Sequence, residues 1–268
     1  MNARHLPTLS NYMPFRSPWL ASLRCGLFIL CLSPLRATPV EAPSDGEVLE
    51  ERRYRETTGE TTLVRDWRLR REDELLVTSS EINGAEFVNK VQPDGDTVYW
   101  RAEREGLQVS AVRDGDQLRI SGEAEGKAVD RTLQLPDAPW FQPINFSLEA
   151  FVRSEREAQD FVMLNSRDFE FLRLKAIRKG RDTVTVDGAT REAVRVELRL
   201  RGWRSAFWSA DYWFHPEDAT FLRYEGVNGP PGTPKTVIEI LSVSASEEGQ
   251  AEDSVHARGE GPPAEPLG

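Results

Sequence analysis

The stretch Glu86-Phe87-Val88-Asn89-Lys90-Val91-Gln92-Pro93-Asp94-Gly95-Asp96-Thr97-Val98-Tyr99-Trp100-Arg101-Ala102-Glu103-Arg104 decides the fold. Two runs with strand-forming residues, Glu86–Gln92 and Thr97–Arg104, flank a Pro-Asp-Gly-Asp turn, the sequence signature of a hairpin. The same unit then repeats. Glu105-Gly106 leads into Leu107–Arg113, Asp114-Gly115-Asp116 leads into Gln117–Gly122, and Lys127–Leu135 follows. Short runs at this regular spacing predict an antiparallel meander.

Toward the N-terminus, Thr62–Arg71 places Trp67 and Leu69 on one face with charges opposite, and Leu75-Leu76-Val77 follows. Toward the C-terminus the meander breaks over Leu135–Glu157. Pro136, Pro139 and Pro143 prevent a regular element in the first part of that segment. Ser147–Val152 reads as a short helix capped by Ser147, with Leu148, Phe151 and Val152 toward the sheet. Strands resume at Phe161–Asn165 and Phe169–Ile177. Asp187-Gly188 turns the chain into Glu192–Arg201, where Val194, Val196, Leu198 and Leu200 alternate with Arg195, Glu197, Arg199 and Arg201. Ser205–His215, Ala219–Gly226 and Thr236–Val243 complete about twelve strands, with one or two short helices.

Both ends read as dispensable to that domain. Gly26–Leu32 is a short apolar run preceded by Arg16 and Arg24, ended by Pro34 and followed by Ala37 and Ala42. This is the order of a cleavable secretory signal, assigned to residues 1–42, with cleavage after Ala37 or Ala42 and translation from Met1 or Met13. The run is too short to span a bilayer, which takes roughly 20 apolar residues. Cys25 follows Arg24 and Cys31 follows Leu30, so neither has the small preceding residue of a lipidation site. Residues 43–50 read as a linker, 51–243 as the β domain and 244–268 as a disordered acidic tail. The predicted localisation is the periplasm or the exterior.

Composition excludes several functions. The net charge is −10, and more negative once the arginine-bearing leader is removed, which repels phosphate backbones and argues against nucleic acid as a partner. Both cysteines lie in the leader, so the domain is expected to have no disulfide, thiolate metal site or cysteine nucleophile. His215 is the only histidine of the predicted domain, and no Gly-x-Ser-x-Gly elbow exists. The two Asp-Gly-Asp turns lack the remaining ligands of a calcium loop, and Gly122–Ala128 lacks the spacing of a phosphate loop. Acidic residues abound, yet none stands out in an apolar setting. No metal, no cofactor and no catalytic residue are expected.

The most distinctive strand is Ser205–His215. One face carries Ala206, Trp208, Ala210, Tyr212 and Phe214; the other carries Phe207 and Trp213 among Ser209, Asp211 and His215. Such a strand is covered on both faces or lines a cavity, and both readings stay open. Trp67, Trp100, Trp208, Tyr212 and Phe214 are the candidates for an apolar lining, and Phe207 and Trp213 for an interaction face. Asp211 and Arg223 lie at similar distances from the Pro216-Glu217-Asp218 turn and are expected to pair.

Tyr212–Asp218, the return Phe221-Leu222-Arg223-Tyr224-Glu225-Gly226, Thr236–Ile240 and the upstream Val186-Asp187-Gly188 resemble the C-terminal hairpins of uncharacterised exported bacterial families. Those families look like distant relatives of the LolA-like and LppX-like lipoprotein carriers. The resemblance spans about 150 residues and transfers no functional residue. It implies a single strongly curved antiparallel sheet, a half-barrel or open barrel around an apolar cavity, and a lipid or lipoprotein ligand. Three functions follow: a non-catalytic exported binding protein for a lipophilic group or envelope component, a scaffold module meeting another envelope protein, or a hydrolase built from carboxylates.

Overall fold

The computed structural model describes residues 47–154, 156–202, 208–227 and 233–245. The predicted leader, Phe207 and nearly all of the predicted tail lie outside the described residues. The first eight strands are β1 (Glu47–Thr58), β2 (Thr61–Glu72), β3 (Leu75–Ile82), β4 (Ala85–Val91), β5 (Thr97–Arg104), β6 (Leu107–Asp114), β7 (Gln117–Ala124) and β8 (Lys127–Gln134). Helix α1 (Ile144–Arg153) follows, then β9 (Ala158–Leu164), β10 (Phe171–Val186), β11 (Ala189–Leu200), β12 (Ser209–Phe214), β13 (Phe221–Val227) and β14 (Lys235–Ala245).

All fourteen strands belong to one sheet, ordered β8-β7-β6-β5-β4-β3-β2-β1-β14-β13-β12-β11-β10-β9. It is two meanders fused where β1 pairs antiparallel with β14, from Glu50 opposite Ala245 to Thr58 opposite Thr236. The edges, β8 and β9, are consecutive in sequence, so the sheet is a curved barrel open at one seam, and residues 135–157 connect the two sides of that seam.

The proline-rich segment bridges the start of β5 to β9. On one side Thr97 N–H donates to Trp140 O (2.8 Å) and Trp140 N–H to Asp96 Oδ1 (2.8 Å). On the other side Phe141 N–H donates to Val162 O and Val162 N–H to Pro139 O, each at 2.9 Å. Gln142 completes the join with its side chain. Its Nε2 donates to Leu164 O (3.0 Å), and its Oε1 accepts from Leu164 N–H (3.0 Å) and Trp140 Nε1–H (2.8 Å). A buried amide thus acts as a strand residue would, satisfying backbone groups that the missing β8–β9 pairing leaves over. Trp140 and Leu135 then join Trp100, Leu118, Ile120, Val162 and Leu164 in one apolar cluster.

Three expectations are corrected. The chain is already in strand at Glu47, inside the stretch read as linker, because Glu47 and Val48 pair with Arg71 and Arg70 of β2. The helix begins one turn before Ser147, at Ile144 after Pro143, so Ser147 is a buried helical residue and not the cap. Leu148, Phe151 and Val152 are buried as expected. Finally, β10 continues through the charged Arg178–Asp182 stretch to Val186, with a register shift between Arg178 and Gly180. Arg178 Nη2 donates to Phe151 O (3.2 Å) and Val152 O (2.9 Å), covering carbonyls that the helix C-terminus cannot satisfy itself.

Gly95 is required at its place. Its φ is 90°, and a Cβ there would lie 2.7 Å from Ser147 O, so the β4–β5 turn can touch α1 only without a side chain.

Candidate ligand-binding site

Fourteen curved strands enclose more space than α1 fills. A cavity of about 170 Å³ remains on the concave face. An engineered apolar cavity of ~150 Å³ accepts benzene, so this one admits a ring or a short aliphatic chain.

Its two walls differ in chemistry. The wall from β9, β10, β11 and β14 is apolar: Met163, Leu172, Leu174, Leu200 and Ile238. Tyr212, Phe221 and Tyr224 from β12 and β13 extend it, with Tyr212 4.9 Å from Tyr224 and 5.8 Å from Phe221 between ring centroids. The opposite wall mixes Trp67, Phe87 and Trp100 with Arg65, Thr78, Ser80 and Asn89. Residues 142–145, at the start of α1, complete the lining. Phe146 packs against Trp67 at 5.8 Å, which fixes the helix over that wall.

Strand register builds the mixed wall. Trp67 lies opposite Ser80 and Ser80 opposite Phe87; Thr78 lies opposite Asn89 and Asn89 opposite Trp100. Asn89 is buried, and its Nδ2 donates to Thr78 Oγ1 at 3.2 Å. Asn89 Oδ1 is buried with no hydrogen-bond partner. Arg65 Nη2 donates to Glu56 Oε2 at 2.8 Å, and that carboxylate is buried, so the arginine charge is already matched.

The sequence candidates divide. Trp67, Trp100, Trp208 and Tyr212 line the cavity, and Trp208 Nε1–H is held by Val227 O at 2.8 Å. Phe214 shares Tyr212's face but is wholly buried in the core, 5.8 Å from Phe221. Trp213, on the other face, is buried too. Its indole N–H donates to Asp182 Oδ2 at 3.1 Å, and the Arg195 guanidinium lies 5.9 Å from its ring centre. Trp213's hydrogen bond and the Thr183 N–H hold the Asp182 carboxyl below its ordinary value.

The expected Asp211–Arg223 pair does not form. Asp211 lies opposite Glu225, and the register puts Arg223 opposite Trp213. Arg195 from the other neighbouring strand takes Asp211 in a two-pronged bond, 2.9 Å and 3.0 Å, while Arg223 bonds Glu225 and Glu239. His215 stands beside the turn with Nδ1 3.1 Å from Asp218 Oδ1, away from the cavity lining. Among the described residues no group of three acidic, histidine or cysteine side chains is placed to hold a metal ion.

One acidic residue does stand in an apolar setting, contrary to the sequence reading. Glu149 on α1 is buried and accepts from Arg52 Nη1 and, at 3.3 Å, from Phe221 N–H. Arg52 is buried as well, bonded through Nε and Nη2 to Glu50 at 2.7 Å each, with its guanidinium 4.6 Å from the Trp67 ring centre. Burial pushes the Glu149 carboxyl up, and the Arg52 charge offsets this only in part. Burial works against the Arg52 charge, but Tyr54, Glu50 and Glu149 more than offset it and keep it protonated. The group ties α1 to β1. The buried Tyr54 phenol adjoins it, and burial pushes that phenol above its ordinary value.

The sequence matches no protein-family model and no curated protein. Solved structures do match. A beta-barrel-like protein of a domain of unknown function, DUF1849, from Brucella abortus has TM-score 0.53 at 8% identity, over 75% of this chain and 98% of that one. The hypothetical lipoprotein YmcC from Escherichia coli matches with TM-score 0.37 at 11% identity, over 72% and 87% of the two chains. The LolA superfamily protein NE2245 from Nitrosomonas europaea matches with TM-score 0.22 at 6% identity, over 76% and 88%. The last two are too loose to argue from. The first shows that this chain has the open-barrel fold of an uncharacterised bacterial family, as the resemblance in β12–β14 implied.

Proposed function

We propose that this chain is an exported, non-catalytic binding protein whose open barrel takes a lipophilic group. The observation that carries the reading is the cavity of about 170 Å³ between an apolar wall and one of mixed aromatic and polar side chains, beside the start of α1. A packed interior fills such space with side chains, and buried aromatic surface with few rotors suits ligand binding. The size favours one short chain or one ring over a multiply acylated lipid. The predicted leader is what assigns export, to the periplasm or beyond.

The scaffold reading draws less support. Trp213 is buried beneath Arg195 and Asp182, and among the described residues the exposed large apolar side chains are the valines Val48, Val64, Val112 and Val243. The carboxylate hydrolase finds no support in Glu149, whose Oε1 accepts from Arg52 and Phe221 and whose Oε2 lies 3.9 Å from Arg153 Nη1.

Titrating the protein with short-chain amphiphiles while following tryptophan emission tests the proposal. Trp67, Trp100 and Trp208 line the cavity, so a bound chain shifts their emission to the blue. Emission that no amphiphile alters contradicts it.

A further inference from the structure

The mixed wall says what kind of lipophilic group fits. Asn89 is a polar residue at an inward position between Phe87 and Val91, in a strand that pairs across to Thr78 and Trp100. A buried acceptor without a partner costs roughly 1–3 kcal/mol. A leucine of similar size would avoid that cost. Folding alone therefore does not account for Asn89, whereas a ligand that donates to Oδ1 does.

The same wall rejects net charge. Its one cation, Arg65, is matched by the buried Glu56 at 2.8 Å. An entering carboxylate or phosphate would have to displace Glu56 or remain uncompensated in a low-dielectric space. An entering ammonium finds Arg65 close by. The other polar groups of the lining are neutral: the Asn89 amide and the Thr78 and Ser80 hydroxyls on β3 and β4, with Tyr54, Gln142, Asn145, Tyr212 and Tyr224 on other elements.

We infer that the cavity selects an aliphatic amphiphile carrying a neutral amide or hydroxyl, with that group on Asn89 and Thr78 and the chain against Met163, Leu172 and Leu174 across the cavity. This rests on the proposed binding function and specifies its ligand class. The ligand's N–H or O–H donates to Asn89 Oδ1; its oxygen accepts from the second Nδ2–H, or from the Thr78 or Ser80 hydroxyl.

The experiment uses the mature chain and five probes of similar reach: octanamide, octanol, octanoate, octylammonium and toluene, each below its aggregation limit at neutral pH. Binding is read by tryptophan emission. Octanamide and octanol are expected to bind about tenfold more tightly than octanoate or octylammonium. In Asn89→Leu, octanamide binding is expected to weaken about fivefold while toluene binding is kept or improved. Thr78→Val, which keeps the shape and removes the hydroxyl, shows the same trend more weakly. Circular dichroism of both variants checks that the sheet is intact. Octanoate binding as tightly as octanamide overturns the selectivity, as does octanamide affinity unaltered by Asn89→Leu. If none of the five probes, toluene included, moves the emission, the binding function itself fails.

Discussion

Two buried polar groups flank Trp67 and are built in opposite ways. On the β1 side, Arg52 is bonded by Glu50 and Glu149 and lies against the indole ring. On the β3–β4 side, Thr78 and Asn89 share one hydrogen bond and leave Asn89 Oδ1 with no partner. The first group is closed: every charge faces another charge, and the cluster joins the helix to the sheet. The second belongs to the cavity wall. A closed buried network specifies a structure, whereas an open one at a cavity wall is a cost that folding does not recover. The two differ because one carries a helix side chain, Glu149, and the other lines the cavity.

Substitutions sharpen this contrast, beginning with the Gln142 join as a reference. Gln142→Leu orphans the Trp140 indole N–H and both backbone groups of Leu164, all buried. It is expected to cost about 3–4 kcal/mol, measured by urea denaturation. Glu149→Leu leaves Arg52 Nη1 and Phe221 N–H unmet and is expected to cost about 2–3 kcal/mol. Glu149→Gln keeps an acceptor oxygen for both and costs less than about 1 kcal/mol. If the leucine variant is as stable as the wild type, the cluster is not the tie we describe. Asn89→Leu is expected to be neutral or to stabilise by up to about 1 kcal/mol, the opposite sign.

Acidity gives the smallest test, and its sign is set by the direction of each shift. Glu149 is raised above its ordinary value of 4.5, so its contribution is full below that pH and is lost as pH rises through the raised value. Glu149→Gln removes that slope from a stability–pH profile. Asp182 is held below its ordinary 3.8, so its contribution is present above that value and is lost as pH falls through the depressed one. Trp213 emission is therefore expected to change only in strong acid, and Asp182→Asn abolishes that change.

Much of the fold was legible because turn chemistry and period two agree. The β4–β7 hairpins are punctuated by Pro93–Asp96, Glu105-Gly106 and Asp114–Asp116, and Val194–Leu200 alternates without interruption. β1 was obscured because its sequence from Glu50 to Arg55 is mostly charged; pairing on both sides, with β2 and β14, makes it a strand. The seam was illegible because Gln142 works through its side chain across a long sequence separation. Of the cavity, the aromatic residues could be read from their strand positions. The polar wall could have been found from Thr78 and Ser80 between Leu76 and Ile82, and from Asn89 between Phe87 and Val91. Each is a polar intrusion on an otherwise apolar face, but their adjacency depends on the β3–β4 register. Glu149 carried no signal, since only the enclosure of almost the whole helix buries it.

The most direct test follows the indole N–H resonances of a nitrogen-15-labelled sample during titration with octanamide. The account predicts that Trp67, Trp100 and Trp208 shift together, while Trp140, locked to Gln142, and Trp213, bonded to Asp182, stay in place. Shifts at Trp213 with none at Trp67 and Trp100 would contradict it, by moving the binding surface to the outside of the barrel.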